Sequence, residues 1–90
     1  KEEHMFCFAE VQAPNIVIET IKRAEDGNGT IIRMYESENA LTRTKITVNT
    51  EFTKAYICNL LEQEMQEAEV NGKEVSLLFK PYEIVTLELV

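Results

Sequence analysis

The chain has 90 residues, with 9 Lys and Arg against 16 Asp and Glu, and a formal net charge of −7. That length allows one small domain around a single modest core. The acidic balance and the scattered basic residues argue against a partner with a phosphate backbone, and no apolar run reaches the ~18 residues that span a membrane.

The chain opens on Lys1, Glu2, Glu3 and His4, a polar stretch without the pattern of a secretory leader. Position 1 is not Met, so the chain reads as a piece of a longer protein or as a processed one. Cytoplasm is the expected compartment, with a secretory or lysosomal-type compartment as the alternative. Neither a nucleic acid nor a membrane is expected as a partner.

Strand-like segments follow one another between turn signals. Residues 5–11 are apolar almost throughout, and residues 15–23 are rich in Ile and Val. Asp26, Gly27, Asn28 and Gly29 then interrupt the pattern. They read as a hairpin connection in which the two glycines supply positive φ. Residues 30–36 carry Ile31, Ile32, Met34 and Tyr35, and end at the turn Ser37, Glu38, Asn39. Residues 45–49 alternate, with Ile46 and Val48 facing one way and Thr47 the other.

Residues 53–70 break this series. They are rich in Leu, Glu, Gln, Met and Ala, and by composition alone they read as a helix. Asn71-Gly72 then reads as a tight hairpin turn. Residues 74–79 place Val75, Leu77 and Phe79 on one face. After Lys80-Pro81, residues 82–90 place Val85, Leu87 and Leu89 on one face and Ile84 on the other. Short period-2 segments at this spacing predict an all-β fold, a small antiparallel β-sandwich of six to eight short strands forming a single domain.

Catalytic chemistry has few residues to draw on. His4 is the only His and Asp26 the only Asp. A nucleophilic triad would have to use a His near the N-terminus. Cys7 and Cys58 are too few for a zinc finger, and read as small buried hydrophobes of a reducing compartment that could pair if the protein were secreted. The Gly-rich loop has no helix after it and no Lys-Ser or Lys-Thr, so it is not a phosphate cradle; its spacing does not match an EF-hand either. Asn28-Gly29-Thr30 has the form of a glycosylation sequon. No catalytic, cofactor-binding or metal residue is assigned within the chain.

Three stretches resemble one family in its own order. NIVIETIKRAEDGNGTIIRMYES, from Asn15 to Ser37, looks like the signature of the C-terminal β-sandwich domain of glycoside hydrolase family 38 α-mannosidases. Its matching residues are Ile21, Lys22, Arg23, Ala24, Glu25, Asp26 and Gly27, then Ile32, Arg33, Met34, Tyr35 and Glu36. AYICNLLE, ending at Glu62, is similar to the family's Leu-Leu-Glu segment. LFKPYEIVTLEL is similar to its closing strand through Pro81, Tyr82, Glu83, Ile84, Thr86 and Leu87. Met34 stands where the family usually has Leu, a volume-conserving swap, and residues 42–52 do not align.

The resemblance implies a strand over residues 55–62 with a turn after it, against the helical composition. It implies a place at the end of a much longer retaining, exo-acting α-mannosidase that acts on terminal α-mannosides. A separate N-terminal domain of that enzyme would hold a divalent metal, usually zinc, with His and Asp ligands and an Asp nucleophile. This chain would be the non-catalytic part, inactive alone, packed on the catalytic domain and framing its cleft. Lys22, Arg33, Glu36 and Glu83, polar residues within strand-like segments, are expected to form cross-strand ion pairs on a sheet face. The alternative is an independent carbohydrate-binding or protein-interaction module.

Overall fold

A computed structural model describes residues 9–23, 29–49, 52–58 and 64–90. These residues form eight strands and no helix: β1 (Ala9–Val11), β2 (Ile16–Arg23), β3 (Thr30–Glu36), β4 (Thr42–Val48), β5 (Ala55–Cys58), β6 (Glu64–Asn71), β7 (Glu74–Phe79) and β8 (Ile84–Leu89). Every pairing is antiparallel, in the order β1-β4-β7-β6-β5-β8-β3-β2.

The sheet folds into two layers because β6 changes partner along its length. Its C-terminal half pairs with β7, from Glu69↔Ser76 to Asn71↔Glu74. Its N-terminal half pairs with β5 instead, as in Ala55↔Ala68 and Ile57↔Gln66. One layer is thus β1-β4-β7-β6 and the other β6-β5-β8-β3-β2. The end strands β1 and β2 come into contact without a ladder between them among the described residues, which nearly closes the sandwich.

The core lies between the layers. Ile46, Val48, Val75, Leu77 and Phe79 enter it from one side, and Ile32, Met34, Val85, Leu87 and Leu89 from the other. These are the inward positions that the alternation predicts, because a strand's side chains change face at every residue. Ile84 and Thr47 point outward as expected. β3 and β7 have the predicted ends. β4 starts three residues earlier than predicted. Its Thr44 is buried, and its hydroxyl accepts the Ala13 N–H at 3.1 Å, which lets a polar residue occupy an inward position.

The helical composition of residues 53–70 is overruled in its described parts, 53–58 and 64–70. Helix propensities differ by only a few tenths of a kcal/mol per residue, and an isolated helix of this length is marginal. As strands, β5 gains β8 as a neighbour on one side and β6 on the other. Ala68 faces the core while Glu67 and Glu69 face water, a period-2 pattern hidden under helix-forming residue types. Of the strand that the resemblance implied over residues 55–62, the part at Ala55–Cys58 is present, and residues 59–62 lie outside the described residues. The predicted Asn71-Gly72 turn shifts by one residue. Asn71 and Glu74 pair, and Gly72 and Lys73 form the loop, with φ 66° at Gly72.

Candidate functional site

β3 ends on Glu36, whose inward position puts a carboxylate in the protein interior with only 1 % of its surface exposed. Neutral donors surround it. Oε1 accepts the Tyr82 N–H at 2.9 Å. Oε2 accepts the Asn15 side-chain amide at 2.7 Å and the Glu38 N–H at 2.8 Å. Burial alone would raise this carboxyl's pKa. The bonds from Tyr82, Asn15, Glu38 and the Ala40 backbone outweigh that effect and lower it from 4.5 to about 2. The expected ion pair is therefore replaced at Glu36 by hydrogen bonds to neutral groups.

These bonds tie three separate pieces of chain together. Asn15 stands at the entry to β2, and its amide also donates to Thr42 Oγ1 at 2.7 Å, at the start of β4. Its carbonyl accepts the Ser37 N–H at 2.9 Å and the Ser37 hydroxyl at 3.0 Å. Tyr82 lies in the turn between β7 and β8, where the Glu83 N–H donates to the Lys80 carbonyl at 2.9 Å. Pro81 sets the second position of that turn, and Tyr82 takes the third with φ 59°, a conformation that favours Gly. Glu83 Oε1 in turn accepts the Lys80 N–H at 2.7 Å, so Glu83 too serves a turn.

The loops held by Glu36 present an apolar rim. Leu41 is 68 % exposed, Tyr82 63 % and Ile84 57 %. Beside this rim a groove of about 520 Å³ opens where β6 leaves β7. Ile57, Leu77 and Val85 reach its floor, and Arg43, Glu67, Lys80 and Glu83 stand among its polar lining. None of its described lining residues is aromatic, so it offers no platform for stacking a sugar ring.

The other motif residues are spread over the fold. Arg33 and Thr86 are cross-strand neighbours on β3 and β8, with Arg33 Nε donating to Thr86 Oγ1 at 3.5 Å. Lys22 pairs in register with Ile31, and Tyr35 sits half-buried between Val17 and Ile84. Glu25, Asp26, Gly27 and Glu62 lie outside the described residues, as do His4, Cys7 and Asn28. Cys58 is buried, and its thiol donates to Glu88 Oε1 at 3.7 Å. Among the described residues no three His, Cys, Asp or Glu side chains gather as metal ligands. Structure brings together Glu36, Pro81, Tyr82 and Glu83 from the motif. It adds Asn15 and Thr42, which sequence reasoning missed; an Asn just before an apolar strand was the available signal.

The match to known proteins covers most of the chain. The model of the glycosyl hydrolases family 38 C-terminal beta sandwich domain matches residues 15–87. Alpha-mannosidase G of Dictyostelium discoideum is 31 % identical over 78 residues, which cover 83 % of this chain and 7 % of that relative. The chain thus spans a small fraction of the curated relative it matches. No solved structure matches it.

Proposed function

Because the chain belongs to the family 38 C-terminal β-sandwich domains, we propose that it is the non-catalytic C-terminal β domain of a retaining, exo-acting α-mannosidase that hydrolyses terminal α-mannosides. The observation that carries this reading is the match over residues 15–87, beside a relative that is an α-mannosidase many times longer. The residue census supports it: one His and one Asp cannot supply the His and Asp metal ligands and the Asp nucleophile that the family resemblance implies. The metal, expected to be zinc, and the nucleophile belong to a separate catalytic domain of the same polypeptide. Cytoplasm is the proposed compartment.

The domain's task is architectural. Its partners are the other domains of its own polypeptide, and it frames the substrate cleft of the catalytic domain. Exposed Leu41, Tyr82 and Ile84 form an apolar rim held in place from behind by Glu36, the kind of surface that a neighbouring domain covers. The test compares two proteins, the 90-residue chain alone and the longer polypeptide encoded with it, on an α-mannoside substrate. Hydrolysis only by the longer protein, lost with its metal, is the expected result. Turnover by the short chain, or a longer reading frame without a glycosidase domain, overturns the reading. Saturable binding of millimolar mannose by the short chain would favour a carbohydrate-binding module instead.

A further inference from the structure

We infer that the groove between β6 and β7 takes an extended segment of the same polypeptide, from outside these 90 residues, as an added strand on the edge of β7. The proposal rests on the domain reading above and adds the place and manner of contact.

The warrant is backbone geometry. Asn71 and Glu74 close a two-residue loop, and the closing pair of such a hairpin exchanges both of its hydrogen bonds. Backbone groups alternate in direction along a strand. Glu74, Ser76 and Leu78 therefore aim theirs toward β6, and Val75, Leu77 and Phe79 toward β4. The Lys73 carbonyl, one residue before Glu74, accepts the Val48 N–H at 3.0 Å and fits that assignment. The ladder to β6 stops at Glu69↔Ser76, while β4 stays paired out to Thr42↔Phe79. Among the described residues, the Leu78 N–H and carbonyl thus face the groove without a strand partner. Glu67, on the opposite wall, likewise faces away from β5.

Other edges of the sheet are blunted against strand addition. β1 spans three of the described residues, and β2 carries a bulge at Glu19. At the end of β7 the next groove-facing amide, Lys80 N–H, is already taken by the Glu83 carboxylate. Leu78 is the open position, with its side chain 44 % exposed. An extended backbone satisfies such an edge, and its alternate side chains would rest on Ile57, Leu77 and Val85 in the groove floor. The relative's length supplies the occupant, since this chain corresponds to 7 % of it.

Hydrogen exchange on the full-length polypeptide tests this. The expected result is a Leu78 amide that exchanges at least about tenfold more slowly than the exposed Lys73 turn amide. Leu78→Pro removes the groove-side donor and no N–H of the β4 ladder, and it should deprotect a segment outside residues 1–90. Leu78→Ala keeps the N–H and should leave that segment protected. Equal behaviour of the two variants, or fast exchange at Leu78 in the unsubstituted protein, overturns strand addition. If fast Leu78 exchange comes with protection around Tyr82 and Ile84 beyond that of the 90-residue chain alone, where Glu36 already holds the Tyr82 N–H, domain packing stands and only the strand falls. If no surface of the domain is protected, the packing reading falls as well.

Discussion

The carboxylate of Glu36 accepts the backbone N–H of Tyr82 at 2.9 Å, 46 positions further along the chain. One contact thus joins the end of β3 to the turn between β7 and β8, and holds Tyr82 in a left-handed conformation that its own side chain disfavours. Glu36→Gln would present an NH₂ group to donors that need an acceptor. The melting temperature should fall by more than about 5 °C at neutral pH, whereas Glu67→Gln on the surface should leave it nearly unchanged.

The same carboxylate sets an acid limit on stability. Its folded pKa is lowered to about 2 from 4.5, so its stabilising contribution is complete above pH 4.5. That contribution is lost as pH falls from 4.5 through about 2, below which both states bind the proton. Melting curves of wild type and Glu36→Gln between pH 7 and pH 2 should therefore converge with acidification. A gap that stays constant to pH 2 would contradict the assignment.

Gly29 and Gly72 both have positive φ, at 92° and 66°. A β-carbon on Gly29 would collide with the Leu89 carbonyl oxygen and crowd the Val90 side chain, whereas one on Gly72 meets nothing. Gly29→Ala should cost about 3 kcal/mol, combining backbone strain with a clash that only the β8 backbone can relieve. Gly72→Ala should cost about 1 kcal/mol from strain alone. Chemical denaturation of the two variants checks the order.

Tyr82→Gly separates the domain from its setting. In the 90-residue chain, relief of the left-handed conformation should offset the loss of a largely exposed ring, with a net change within about 1 kcal/mol. In the longer polypeptide the same substitution should weaken domain packing, read as faster proteolytic release of the C-terminal part. An equal and negligible effect in both settings would remove Tyr82 from the interface.

Phe79 fills the core between the layers, and Leu41 stands on the rim. Phe79→Ala should destabilise by about 3–5 kcal/mol. Leu41→Ala should change the stability of the chain alone by less than about 0.5 kcal/mol. Urea midpoints measure both.

Much of this fold is written locally. The alternation of Val75, Leu77 and Phe79, and of Val85, Leu87 and Leu89, fixed which side chains face inward, because side chains change face at every residue of a strand. The apolar segments and their turn residues were enough for an all-β sandwich, and the motif residues were enough for the family. β6 was not legible. Its Glu, Gln, Met and Ala favour a helix by small margins, and its strand form depends on β5 and β7, which arrive from elsewhere in the chain.

The site follows the same division. Pro81 announced a turn, but nothing in the neighbouring residues announced a left-handed Tyr82 or a buried, ionised Glu36. A carboxylate stays charged in the interior only when several donors converge on it, and these come from Asn15, Glu38, Ala40 and Tyr82. Among the described residues, the open edge of β7 likewise exists only because the part of β6 before Glu69 pairs with β5 instead. Local patterning sets which face of each strand is apolar. Which strands meet, and where a backbone edge is left without a partner, depends on contacts between residues far apart in sequence.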